Sequence, residues 1–243
     1  MLLNYYKIKL RKVLRMIYLL SILCLAIMSI FIYFEHKEKY VLAVVLKGLA
    51  SLVFVILGYW CSRVTGNLQF CKMVRIGLIL GLIADILLNL RFVFKTKGKI
   101  VFLVGILVFL SGHILYLCAL IPTVNNVILP LLIGVVLTAI IIIWIFKQIE
   151  AQKAFKIFGV FYIGAIVIMN CFAFANLIQD VTNLRYIIFA IGAVSFLISD
   201  IVLILNTFGK TTKFSLRITN LSLYYVGQLL IAISMMYPIL YIK

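Results

Sequence analysis

Residues 74–90 read VRIGLILGLIADILLNL, and apart from Arg75 at its edge this run carries one charge, Asp85. Residues 186–206, YIIFAIGAVSFLISDIVLILN, repeat the arrangement around Asp200. Both stretches are apolar on the scale of a bilayer crossing, which takes about 20 residues of helix. A carboxylate at such depth costs about 2.5–3.5 kcal/mol even on lenient insertion scales. Something must offset that cost, and a functional site is the default expectation. The other acidic residues, Glu35, Glu38, Glu150 and Asp180, are read as lying in or beside polar connecting segments, where a charge is cheap.

Working outward, the same reading finds eight such runs, at 16–34, 41–60, 74–94, 100–121, 127–146, 155–178, 186–206 and 219–242. With 66% hydrophobic residues in 243 and a mean hydropathy of +1.27, the expectation is an all-α integral membrane protein. It is a single eight-helix transmembrane domain, multi-pass in a cell membrane, with no connection long enough for a soluble domain. The basic start MLLNYYKIKLRKVLR resembles a signal peptide, but the apolar stretch after it is too long for one and no cleavage site follows, so a retained first helix is expected. The five cysteines form no C-x-x-C pair and read as small apolar packing residues.

The net charge of +17 is carried by terminal and connecting Lys and Arg. Nucleic acid is therefore a poor partner, and anionic lipid headgroups, which attract such residues, a better one. The chain is expected to act as a monomer or homodimer among membrane lipids. Orientation signals conflict. The N-terminal cluster Lys7, Lys9, Arg11, Lys12 and Arg15 opposes the bias of the later connections, which places the side opposite the termini (side B) in the cytoplasm.

Comparing the chain with itself aligns LIADILL at 82–88 with LISDIVL at 197–203. Asp85 precedes His113 by the same interval that separates Asp200 from Gln228, and Gly112-His113-Ile114-Leu115 matches Gly227-Gln228-Leu229-Leu230. Two parallel four-helix repeats follow, 1–121 and 122–243, related by an axis along the membrane normal. They would surround an intramembrane polar cavity nearer side B, with His113 deeper than Gln228. Gly77, Gly81 and Asp85 form one small-residue stripe, and Gly192, Ser195 and Ser199 another, of the kind that lets helices approach closely in lipid.

Candidate residues gather on the same helices. Asp85 and Asn89 share a face, as do Tyr224 and Gln228, and Tyr116 lies one turn past His113. Lys47 sits about a third of the way into the second run. It either draws a phosphate at the side-B mouth or pairs with one of the aspartates. Asn89, Asn206 and Ser199 are most simply contacts between helices. A zinc site built on His113 and two Asp lacks any spacing signature, so no metal and no cofactor are expected.

GLIADILLNL followed by VFLVGILVFLSGHILYLCAL resembles the YhhN family, whose characterised members are lysoplasmalogenases. That family's pattern is matched by Asp85, His113, Tyr116, Ser199, Asp200, Tyr224, Gln228 and Ser234, with Lys47 and Tyr162 at its helix-two Lys and helix-six Tyr. Ala84 and Gly48 stand where the family has Gly and Pro. The resemblance implies hydrolysis of the vinyl ether of a lysoplasmalogen to a fatty aldehyde and a glycerophospho-base. On that reading Asp85 and Asp200 are the acid and base. Lys47, Asn89, His113, Tyr116, Tyr162, Ser199, Tyr224 and Gln228 bind the lysophospholipid or orient the carboxyls. A proton-coupled transporter of small molecules or lipids, with the same aspartates as its relay, is the alternative.

Overall fold

Pro122 and Asn126 mark where the chain reverses between its two halves. Pro122 lies in a short 3₁₀ turn, Ile121–Thr123, that follows a long helix. The Asn126 side chain accepts hydrogen bonds from the free N–H groups of Ile128 and Leu129 and so starts the next one. The computed structural model describes residues 2–65, 69–94 and 96–236, with only the backbone for residues 2–10, 64 and 65. The helices are α1 (Leu2–His36), α2 (Tyr40–Thr65), α3 (Gln69–Leu90), α4 (Gly98–Leu120), α5 (Ile128–Gln148), α6 (Lys153–Gln179), α7 (Leu184–Phe208) and α8 (Phe214–Ser234). All eight contain a segment long and apolar enough to cross a bilayer, as expected for a multi-pass membrane protein. The connections are short; one, after α5, pairs with the end of α7 through Glu150 N–H and the Phe208 carbonyl at 2.8 Å.

Three boundaries differ from the hydropathy reading in ways that matter. Helix α1 runs to His36, so Glu35 is in its last turn and not in a loop. Helix α3 stops at Leu90, and Arg91 to Val93 form a turn, although Phe92 and Phe94 prolong the apolar run. Helix α8 begins at Phe214, not 219, because polar residues on its inward face depress its hydropathy without breaking the helix; Arg217 thereby enters its first turn. The expected end of this helix at 242 lies outside the described residues. With α8 starting earlier, Gln228 is fourteen residues past its first residue and His113 fifteen past that of α4. The two are level, which corrects the expectation that His113 is the deeper.

Large apolar side chains such as Ile22, Ile128 and Leu132 face outward, as they would on helices set in lipid. Lipid supplies no hydrophobic drive between helices, so close packing carries the association. The tightest crossings are at small residues. A methyl on Gly112 would lie 3.2 Å from the Gly77 carbonyl oxygen, and one on Gly227 would lie 2.9 Å from that of Gly192. The α3–α4 and α7–α8 pairs therefore cross at corresponding glycines. Ser195 is not part of the second seam: its hydroxyl bonds to the Ile191 carbonyl of its own helix, and Phe196 packs there. Helix α4 leans on α6 as α8 leans on α2, the neighbour order that two four-helix repeats would have.

Candidate active site

Asp85 and Asp200 come from different helices and line the same small cavity, with Lys47, Asn89, Tyr162 and Tyr224 around them. Both carboxyl groups are buried; Asp85 is 1% exposed and Asp200 3%. The cavity volume of about 30 Å³ is room for roughly two water molecules, since one needs about 10–15 Å³.

The surroundings of the two carboxyls differ. Asp85 Oδ1 is 3.1 Å from the Lys47 ammonium. Its Oδ2 accepts from Ser51 Oγ at 2.6 Å and from the Tyr224 hydroxyl at 2.5 Å. Tyr225 closes this group: its hydroxyl lies 3.3 Å from both Ser51 Oγ and the Lys47 carbonyl oxygen, with one hydrogen to give to either. Asp200 accepts a short hydrogen bond from the Tyr162 hydroxyl and, among the described residues, has no cation within ion-pairing distance.

A polar chain leads from Lys47 toward side B. Lys47 Nζ donates to Asn89 Oδ1 at 3.4 Å, and Asn89 Nδ2 donates to Glu35 at 3.0 Å. Arg217 holds Glu35 with two donors, Nε to Oε1 at 2.7 Å and Nη2 to Oε2 at 2.9 Å, and reaches Asn220 Oδ1 at 3.3 Å. Asn220 in turn donates to the Ser199 carbonyl and hydroxyl, pinning α7 to α8. Lys47 is 4% exposed, so its stem does not carry the ammonium to the surface. Arg217 likewise lies within a spanning helix.

The remaining expected residues separate into two sets. Tyr116 donates to Gln228 at 3.0 Å, and Gln228 donates to the Tyr224 hydroxyl at 3.4 Å, so both reach Asp85 through Tyr224. His113 is not joined to them. Its two ring nitrogens have no hydrogen-bond partner among the described residues, and its ring packs on Phe196 at 4.4 Å and against Phe109, Tyr116 and Tyr162. Neither His113 nor Ser199 lines the cavity. No cluster of three or more His, Cys, Asp and Glu side chains converges among the described residues.

Ser51, Tyr225, Glu35, Arg217 and Asn220 escape a sequence reading. Two signals were present. Ser51 lies four residues from Lys47 on the same helix face, and Arg217, Asn220, Tyr224 and Gln228 form a stripe at helical spacing.

Two further spaces adjoin the cavity. An apolar pocket of about 60 Å³ between α4, α5, α6 and α7 shares Leu88, Phe102, Phe109, Tyr162 and Leu203 with it. A wider vestibule of about 420 Å³, lined by Glu35, His36, Tyr40, Asn206 and Lys213, shares Arg91, Leu203 and Arg217. Leu203 borders all three.

Neither a curated protein nor a solved structure matches this chain. The model of the YhhN family matches residues 42–235, which takes in both aspartates, Lys47 and every helix from α2 to α8, and the chain belongs to that family.

Proposed function

We propose that this protein is a membrane hydrolase that cleaves the vinyl ether of a lysoplasmalogen, releasing a fatty aldehyde and a glycerophospho-base. The observation that carries this reading is two buried carboxyls on one water-sized cavity, one with a cation beside it and one without. A vinyl ether breaks by protonation of its distal alkene carbon, which leaves an oxocarbenium ion. Water adds to that ion, and the resulting hemiacetal collapses to the aldehyde and the glycerol hydroxyl. Such chemistry needs an acid and a base held apart by their environments.

Asp200 is the proton donor on this reading, because no cation stands by to keep it ionised. Asp85 is the carboxylate: Lys47 holds its charge, and it stabilises the oxocarbenium ion and takes a proton from water. Lys47 thus serves Asp85 and not a phosphate; its burial and its 3.1 Å pairing favour the second of the two roles open to it from sequence. Tyr162 and Tyr224 aim the two carboxyls. Gln228 and Tyr116 hold Tyr224, while His113 packs the aromatic wall between the two sides.

The adjoining spaces would direct a one-chain amphiphile with its hydrocarbon toward the apolar pocket and its headgroup toward the vestibule. A proton-coupled transporter would use the same aspartates, but α3 and α7 run unbroken past them, whereas such carriers commonly build their sites from interrupted helices. The test is aldehyde release from lysoplasmalogen by purified protein in detergent, with a chelator present. Aldehyde and glycerophospho-base in equal amounts are expected. Folded protein that produced neither would overturn the proposal.

A further inference from the structure

Arg91 is a cation that the acid–base machinery does not use. It follows the last residue of α3, six positions past Asp85, or about 9 Å at 1.5 Å per residue if the helix continued. Its guanidinium carbon lies 4.6 Å from the ring centre of Phe92 and 4.3 Å from that of Phe102. These rings hold the group in place by cation–π attraction without consuming its N–H donors. The buried Nε has no hydrogen-bond partner, and among the described residues no carboxylate pairs with Arg91. Arg217, its neighbour across the cavity neck, differs: Nε and both terminal nitrogens are engaged by Glu35 and Asn220. Backbone closure fixes the position further, since a methyl on Gly98 would lie 2.6 Å from the Arg91 carbonyl oxygen.

Burial, reinforced by the positive charge of Arg217, lowers the Arg91 guanidinium from its ordinary value to about 10. Glu35 opposes this shift from a distance, so Arg91 remains a cation at neutral pH with no carboxylate in direct contact among the described residues. A partly buried cation with free donors, placed where a wide vestibule narrows to a reactive cavity, is the geometry of an oxyanion site. Arg is suited to it because its planar fork can grip two oxygens of one phosphate.

We propose that Arg91 is the phosphate-binding residue of this site and takes the phosphodiester of a one-chain lipid whose headgroup fills the vestibule. The proposal rests on the function argued above: the three-carbon glycerol spacer would then set the phosphate at Arg91 and the ether linkage near Asp85 and Asp200. It makes Arg91 a substrate-binding residue that discriminates phospholipid from neutral lipid.

Binding separates this from turnover. The probes are a saturated 1-alkyl-2-lysoglycerophosphoethanolamine, which has no vinyl ether to cleave, the matching 1-alkylglycerol, which has no phosphate, and inorganic phosphate alone. Affinity for purified protein in detergent is read from the concentration dependence of Tm. Wild-type protein is expected to prefer the phospholipid to the alkylglycerol by about tenfold or more, the scale of a lost charge-assisted contact, and to show no shift with inorganic phosphate. Arg91→Gln should bring the two lipids together by weakening the phospholipid, and Arg91→Lys should restore part of the gap. A merely structural role would move both lipids alike. Equal affinities in wild-type protein, or a gap that survives in Arg91→Gln, would overturn the proposal. So would Arg91-dependent binding of inorganic phosphate at the phospholipid's affinity, which would make the ligand a free anion. If Arg91→Gln does not fold, the wild-type comparison and Arg91→Lys still decide. Aldehyde release from lysoplasmalogen is measured alongside. A phosphate preference without aldehyde would retain Arg91 and remove the hydrolase, and aldehyde without preference would do the reverse.

Discussion

Asp85 and Asp200 occupy corresponding places in α3 and α7, and the helices that pack on them cross at corresponding glycines. Their chemical surroundings nevertheless differ. Asp85 has an ammonium, a Ser hydroxyl and a Tyr hydroxyl. Asp200 has one Tyr hydroxyl. The partner helices diverge too: Gln228 on α8 is bonded to two tyrosines, while His113 at the same level on α4 has no partner among the described residues. Two helix pairs that cross at glycines but carry unlike side chains give the two carboxyls one cavity and different charge environments. Unlike environments let one carboxyl stay protonated as an acid while the other stays ionised as a base.

The most direct way to break this comparison is to remove each acid. Asp200→Asn and Asp85→Asn should each lower aldehyde release by about 10²–10⁴, the usual worth of general acid–base function. Near-normal turnover in either variant would make that Asp structural. The two should then part in stability. Asp85→Asn leaves the Lys47 ammonium buried without its counter-charge, and breaking a buried pair costs about 3–5 kcal/mol. Asp200→Asn removes no ion pair and should leave Tm closer to wild type.

Lys47→Met tests the same asymmetry from the other side. It should reduce kcat and alter the pH–rate profile with little change in KM, because the ammonium acts through Asp85. A rise in KM alone would return Lys47 to phosphate binding. In stability, Lys47→Met combined with Asp85→Asn should be less harmful than the sum of the two single changes, the mark of coupled partners. Lack of coupling would contradict the pairing.

The tyrosines offer a smaller contrast. Tyr162→Phe removes the one described hydrogen bond to Asp200 and should cost about tenfold in kcat, whereas Tyr224→Phe leaves Asp85 with Lys47 and Ser51 and should cost only about two- to threefold. Equal effects from the two variants would mean the carboxyls are supported alike.

The eight helices and the two acids were legible because an isolated Asp in an apolar run is conspicuous. The partners were not. Hydropathy placed Glu35 and Arg217 in connections, since a window average cannot tell an inward polar face from a loop; in the structure each is paired across helices. The 28-residue interval sets His113 opposite Gln228 in the sequence comparison, but the two do not share their bonding. Whether a polar side chain finds a partner depends on neighbours from other helices, which no interval within one chain records.

The two sides of the cavity should also divide the substrate, with the headgroup reached past Asn89 and Arg91 and the hydrocarbon past Tyr162, which lines both the cavity and the apolar pocket. Gly159 on α6 lines that pocket as well, and a methyl built on it meets nothing within 4 Å. Gly159→Leu would therefore extend into open space in the pocket and not into packed neighbours. Leu is also the better helix former by several tenths of a kcal/mol, so expression and Tm should hold or improve. What should change is the preference for chain length. Each methylene kept out of the pocket forfeits about 0.8 kcal/mol of burial, or roughly fourfold in affinity. The ratio of kcat/KM for long over short alkenyl chains should thus fall by a few-fold for each carbon excluded. Sensitivity to Arg91 substitution should be the same at every chain length. A ratio unchanged by Gly159→Leu would place the hydrocarbon elsewhere, and with it the division of the cavity into a headgroup side and a chain side.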